Sequence, residues 1–225
     1  MKKSNVFIGA VTTFCMTVFI ILFSVFTVVN DRDFYPEQFE KNNVARDCKM
    51  SLEDVNKAMT VLLDYLEGKR DDISVTVEKA GVTEEAFYER ETLHMVDVKT
   101  LYRRAKAAMY FSLAAACGGL LRLMCINKRS KKECSAALKS GMKITGIIFA
   151  VFIAVIIAAV LYDFNRFWIK FHELFFSNDL WLLDPRYSTM INMLPEPLFE
   201  AMVVKIIIRF VLIMSAFLGS VFFLM

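Results

Sequence analysis

The strongest constraint on this chain is a run from Val6 to Val29, 24 positions without a charged residue. Crossing the ~30 Å hydrocarbon layer as a helix takes about 20 apolar residues. A helix also satisfies every backbone polar group within one stretch of chain. Ile144–Tyr162 is a second such run, of 19 residues, and Phe210–Met225 adds 16 more at the end of the sequence. That last run reaches full length by starting near Met202 and taking in Lys205 and Arg209. The shortest, Ala107–Leu121, has 15 residues between Lys106 and Arg122, whose long stems let a charge snorkel to the headgroups. An all-α membrane protein built on a four-transmembrane-helix bundle is therefore expected. Composition agrees, since 56% of residues are hydrophobic against about 45–50% in a soluble domain. Only 8 Gly and 4 Pro are present, which excludes collagen-like and low-complexity chains.

Basic residues orient the spans. Lys2 and Lys3 precede the first run, and Lys128, Arg129, Lys131, Lys132, Lys139 and Lys143 face a single acid, Glu133, between the second and third. With four spans these segments share one side, the cytoplasm. Residues 31–100 carry 17 of the 24 acids against 10 basic residues, and so face outward. The formal net charge of +3 averages two opposite surfaces and carries no indication of nucleic-acid binding. The reading divides the chain into a cytoplasmic stub and first span (1–29), an extracytoplasmic cap (30–105), a second span (106–127) and a basic cytoplasmic loop (128–143). A third span (144–163), an extracytoplasmic or interfacial amphipathic segment (164–201) and a last span (202–225) follow. Both termini then lie in the cytoplasm, beneath the plasma membrane. The first run exceeds the 7–15-residue core of a signal peptide and has no A-x-A-like exit, so it is expected to stay as an anchor.

The cap reads as a small α+β unit. Ser51-Leu52-Glu53-Asp54 resembles a capping box, Val55, Met59, Leu62, Leu63 and Leu66 recur at helical spacing, and Gly68 marks the stop. Ile73, Val75 and Val77 alternate with polar residues as in a strand. A helical pattern resumes near Glu91 and runs toward the second span. About 70 residues with this little apolar content make a thin core, so the cap is expected to rest on the membrane or on the other outer segment. In that segment Phe167, Trp168, Phe171, Leu174 and Phe175 share one helical face, as in a helix lying in the interface. Trp168, Trp181 and Tyr187 stand where an aromatic belt would be.

The two histidines of the chain, His94 and His172, fall one in each outer segment and close to a span. A pair converging at the outer leaflet could move protons near neutral pH; two unrelated surface imidazoles would leave the same trace. Glu91 and Asp97 lie within helical reach of His94 and could orient it, as a carboxylate orients the imidazole of a triad. His172-Glu173 is not a zinc-protease motif, because position 176 is Phe where H-E-x-x-H needs its second ligand. No G-x-S-x-G elbow or phosphate-binding loop is present. Lys205 and Arg209, four apart on the last span, could face a polar cavity or snorkel to the headgroups. Of the five cysteines only Cys48 lies in an outer segment, without a partner cysteine or neighbouring histidine. Neither a disulfide framework nor a thiol nucleophile is indicated.

The two histidine segments resemble those of the bacterial lipoprotein intramolecular transacylase family. Glu91-Thr92-Leu93-His94-Met95-Val96-Asp97-Val98-Lys99 is similar to its E-x-x-H-M-x-D-V-K stretch. Phe171-His172-Glu173-Leu174-Phe175-Phe176, then Trp181 and Leu194-Pro195-Glu196, is similar to its F-H-x-x-F-F…W…P-E stretch. The chain departs from the family after P-E, where Pro197-Leu198-Phe199 replaces the usual aromatic pair. The resemblance implies movement of the sn-2 acyl chain of a diacylglyceryl-modified lipoprotein to the amine of its own N-terminal cysteine, leaving a lyso-lipoprotein. It implies catalytic roles for His94 and His172 in a site at the outer leaflet, with membrane lipids as surroundings and no cofactor or metal. Glu91, Asp97, Lys205 and Arg209 are the candidates for orienting a histidine or stabilising an oxyanion. The competing reading is a non-catalytic membrane protein that binds lipoproteins or partner subunits; a metal-dependent lipid hydrolase is a third.

Overall fold

The computed structural model describes residues 3–127 and 130–221. Lys2, Lys128 and Arg129, used above to orient the chain, lie outside the described residues, as does the end of the last apolar run. In chain order the elements are α1 (Lys3–Val29), α2 (Phe34–Lys41), α3 (Val44–Cys48), α4 (Leu52–Glu67), β1 (Thr76–Lys79) and β2 (Val82–Glu85). There follow α5 (Glu89–Ile126), α6 (Lys131–Tyr162), α7 (Phe164–Phe175), α8 (Thr189–Met193) and α9 (Glu196–Gly219). Among the described residues α1, α5, α6 and α9 are long and apolar enough to cross a membrane. The expected four-span, mainly helical architecture is what the chain adopts, and the small outer cap contains a two-stranded sheet.

Two of the four helices extend well beyond their apolar runs. The 38 residues of α5 reach about 57 Å at 1.5 Å per residue, nearly twice the hydrocarbon thickness. The uncharged stretch from Ala107 lies in its second half, so the first turns, including Glu91 and His94, stand outside the spanning segment. α6 likewise starts at Lys131, making much of the basic loop helical.

The chain divides into two compact units. The first holds α1 to Phe26, α5 from Ala105, α6, and α9 from Lys205. Helices in lipid gain little from apolar burial against one another, so close approach of small residues and interhelical hydrogen bonds hold them together. Here α1 and α6 meet backbone to backbone: a Cβ on Gly141 would strike the Gly9 carbonyl, and one on Gly9 the Ala137 carbonyl. Gly119 of α5 gives the same close approach to Thr12 of α1. Asn5 donates to Asn127 at 2.8 Å, and Thr145 to Thr13 at 3.3 Å. Thr12, Thr13, Thr17 and Ser24 donate to carbonyls in the preceding turn of α1, so their hydroxyls are satisfied inside the helix. Leu123, Cys134, Ala137, Leu138, Met142 and Val221 form a buried cluster beside this seam.

The second unit comprises Thr27–Arg104 and Asp163–Val204. The thin cap gains its core by sharing it with the other outer segment. Ser51 caps α4 by accepting from the Asp54 amide, and Gly68 ends it at φ +81°. Val55, Ala58, Leu62 and Leu63 on α4 are buried, as are Phe34, Phe39 and Val44 of α2 and α3, the two helices that α4 lies against. The alternating Ile73, Val75 and Val77 are buried, but the ladder starts only at Thr76 and closes through Ala80 and Gly81. Both turn residues have positive φ, the conformation that a two-residue hairpin requires. α8 lies on α3, where Cys48 donates to the Thr189 carbonyl (S···O 3.9 Å) and Lys79 Nζ donates to Thr189 Oγ1 at 3.1 Å. Burial pushes the Cys48 thiol up to about 12, which makes it a packing residue and a poor nucleophile.

Gly141→Val is expected to lower the stability of the detergent-solubilised protein by about 1–3 kcal/mol through overpacking against α1, read as a lower thermal midpoint. Gly118→Ala, where an added Cβ meets nothing within 4 Å, does not lower the midpoint and is expected to raise it slightly, because Ala is the better helix former.

Candidate active site

Both histidines belong to the second unit, together with Glu91 and Asp97. Glu91 is in the first turn of α5, where its Oε2 accepts from the Tyr88 amide at 2.8 Å, half of a capping box. Its Oε1 accepts from Ser188 Oγ at 2.6 Å and from the Met190 amide at 2.7 Å. The side chain has no exposed surface. Burial pushes its pKa up, against the opposing pull of Ser188, Met190 and Tyr88. Ser188 in turn accepts from the Ile191 amide and caps α8. This carboxylate fastens the 188–190 stretch to α5. One turn further along the same face sits His94.

His94 is 7% exposed, and its Nδ1 is a buried atom without a hydrogen-bond partner. Burial lowers its pKa to about 4, helped by the nearby His172 and opposed by Asp97. His172 comes from the last turn of α7, whose start is capped by Asp163 accepting from the Arg166 amide. It is also 7% exposed, and burial lowers its pKa while the Trp168 carbonyl pulls the other way. Nδ1 of His172 lies 2.8 Å from that carbonyl oxygen. A carbonyl can only accept, so the neutral ring carries its proton on Nδ1 and presents a lone pair at Nε2. The two ring centroids are 5.9 Å apart. Two largely buried imidazoles thus lie side by side.

Aromatic rings surround the pair. Trp181 lies nearly flat against His172, with centroids 4.9 Å apart and planes at 27°. Phe176 sits 5.6 Å from His172 and 5.3 Å from His94. Trp168 and Phe171 stand perpendicular to the His172 ring, and Phe199 of α9 covers Trp168 at 4.2 Å. The rings of Trp168 and Trp181, which the sequence places in an aromatic belt, pack directly on His172. Phe199, in the stretch where the family pattern breaks, supplies an aromatic contact of its own.

Asp97 acts on the loop after α7. Its Oδ2 accepts from Asn178 Nδ2 at 2.8 Å, and the Asn178 carbonyl accepts from Trp181 Nε1 at 2.9 Å. Arg90 adds an ion pair to Asp179 at 3.2 Å and a hydrogen bond to the Asp179 carbonyl. Two charged residues of α5 therefore hold the turn that lays Trp181 on His172. Lys205 and Arg209 lie on α9 within the first unit, partly buried and one turn apart. Among the described residues no group of three His, Cys, Asp or Glu side chains converges in a way that could hold a metal. Sequence reasoning missed Ser188, Asn178 and Arg90. Only the S-x-x-I start of α8 offered a signal, and it was masked by the surrounding prolines.

Residues 10–199 match the profile of a family described as lipoprotein intramolecular transacylase Lit. Similar solved structures include the membrane-integral lipoprotein intramolecular transacylase Lit from Bacillus cereus. That match has a TM-score of 0.74 and 22% identity, and covers 96% of this chain and 95% of the other. Two variants of the same Bacillus cereus protein, with one histidine changed to arginine or to alanine, match with a TM-score of 0.69 and 23% identity. They cover 92% of this chain and 85% and 87% of theirs. No curated protein sequence matches.

Removing the Glu91 carboxylate strands the Ser188 hydroxyl and two amides. Glu91→Ala is expected to destabilise the protein by about 1–3 kcal/mol for each buried donor left unpaired, read by chemical denaturation. Ser188→Ala, which removes the Ile191 cap but leaves both amide bonds to Glu91 in place, costs less.

Proposed function

Because the chain belongs to the lipoprotein intramolecular transacylase family, we propose that His172 and His94 carry out its acyl transfer, the first as base and the second as oxyanion donor. The substrate is a diacylglyceryl-modified lipoprotein, and the sn-2 acyl chain moves to the α-amine of the same molecule's N-terminal cysteine. The observation that carries this assignment is the 5.9 Å separation of two buried imidazole rings, which lets both reach one ester.

Both reactants ride on one molecule, so the enzyme needs no nucleophile of its own. Attack of the amine on the sn-2 carbonyl closes a ring through N, Cα, Cβ, S, two glycerol carbons, the ester oxygen and the acyl carbon, eight members in all. The sn-1 ester would require nine. Holding so floppy a ring in near-attack geometry is where a binding site contributes most.

The neutral amine attacks the carbonyl carbon, and the carbonyl π pair moves onto oxygen. The nitrogen of the adduct then loses a proton to Nε2 of His172, whose Nδ1 stays bound to the Trp168 carbonyl. Collapse of the adduct breaks the bond to the sn-2 oxygen, and that oxygen takes the proton back from Nε2. The products are an amide and a free glycerol hydroxyl. With its pKa near 4, His94 is neutral at pH 7 and can offer an N–H to the oxyanion without first being charged, as some electrophilic histidines do.

The orientation of the chain supports the same site. The basic residues before α1 and at the start of α6 favour a cytoplasmic position for those ends. In that orientation the histidine segments face outward, where a lipid-modified cysteine meets the bilayer surface. Within that unit Glu91 and Asp97 orient the site by holding the segments that flank it.

Expression in a bacterium lacking other N-acylating enzymes tests the assignment through the mass of the N-terminal lipopeptide. Transfer leaves the mass unchanged while alkali releases one fewer fatty acid. His172→Ala is expected to slow the rearrangement by about 10²–10⁴-fold and His94→Ala by about 10²–10³-fold; rearrangement at wild-type rate in both would sink the assignment. The pH profile has a set sign. Burial keeps both imidazoles neutral to below their ordinary range, so the ammonium of the substrate limits the acid side. kcat/KM should rise with pH and level off above about 8, following an α-amine of pKa ~7.7–8.0.

A further inference from the structure

The proton taken up by His172 needs a counterpart that stabilises the imidazolium. In a serine-protease triad a carboxylate does this at Nδ1. Here Nδ1 faces the neutral Trp168 carbonyl, and among the described residues Glu91 and Asp97 of α5 and the acids of the last turn of α7 and of the segment after it are engaged elsewhere. On its own helix Glu173 is paired with Lys170 at 2.6 Å. On the following segment Asp179 is paired with Arg90, and Asp184 with Arg186. On α5, Asp97 accepts from Asn178 and Glu91 from Ser188 and Met190, and the titratable group in ring contact with His172 is His94, itself a base. What lies flat against His172 is the indole of Trp181, at 4.9 Å and 27°.

We propose that Trp181 is the electrostatic partner of His172, its π face stabilising the imidazolium that forms when His172 accepts the amine proton. This rests on the assignment of His172 as the base. A ring face attracts a cation lying over it, and more strongly where water is excluded. The neutral imidazole present before the reaction gains little from that attraction. The interaction therefore grows as the proton transfers, which makes it a contribution to the rate and not to substrate affinity. The loop around Trp181 is built accordingly: its indole N–H is anchored on the Asn178 carbonyl, and Asn178 is held by Asp97. Trp181 is thus a positioning residue tuned through its ring electrons.

The chain contains two tryptophans and two histidines, which makes a clean test practical. In a Trp168→Phe background, tryptophan analogues with one, two and three ring fluorines label Trp181 alone. They weaken the negative potential of the face while nearly preserving shape. The expected result is a stepwise fall in kcat, about 3- to 30-fold across the series, with KM unchanged. The titration of His172, followed by NMR of histidine-labelled protein, should shift down in step, since a weaker partner stabilises the charged form less. Trp181→Leu should fall at or below the trifluoro protein, and Trp181→Phe recover part of the loss. A flat kcat and an unmoved His172 titration across the fluorine series would overturn the role of Trp181. If His172→Ala instead keeps full activity, the assignment of the base itself fails, a separate outcome from a flat series in an enzyme that needs His172.

Discussion

A carboxylate with no exposed surface joins two stretches of chain nearly a hundred residues apart. Glu91 accepts from Ser188 and from the Met190 amide while its other oxygen caps the start of α5. Neither stretch has a sizeable core of its own, and the burial of α8 against α3 depends on their meeting. The pairing of the two histidines follows from that junction: His94 lies one turn beyond Glu91 on the same helix, and the chain that returns to Ser188 is the one that carries His172 and Trp181. The cost of burying the carboxylate is offset by three donors, as a buried acid requires.

In the proposed mechanism both imidazoles stay uncharged until the reaction needs charge. Burial beside aromatic rings lowers both pKa values, and the Trp168 carbonyl fixes the tautomer that puts the lone pair of His172 on Nε2. In this arrangement one histidine can shuttle a proton while its neighbour donates a hydrogen bond to oxygen. A carboxylate–histidine pair would bring a permanent charge to a site proposed to take the ester end of an acyl chain. In that proposal a carbonyl and an indole face do the same work without one.

Much of this could be read from the residues. Four charge-free or snorkelled runs set the membrane architecture, because hydrocarbon leaves the backbone few alternatives. The α4 cap at Ser51 and the stop at Gly68 were equally plain, since both are local rules. Conjunction of the two histidine segments was legible only through family resemblance, because periodicity carries no information about which distant segments meet. The roles of the acids were harder still: Glu91 and Asp97 have the spacing of residues that would contact His94, yet their oxygens bond Ser188, Met190 and Asn178. A carboxylate three residues from a histidine has several directions open to it, and the segment packed against the helix decides which it takes. β2 went unseen for a simpler reason: all four of its residues are exposed, so it has no alternating pattern to detect.

Titration of His94 reports whether the two buried imidazoles lie together. Histidine-selective NMR on the wild type and on His172→Ala should show His94 protonating only near pH 4 in the first. In the second it should titrate at a higher pH, because a neighbouring cationic site and part of the burial have been removed. A His94 that titrates near its ordinary ~6.5 in both proteins would mean that the rings are solvated and apart.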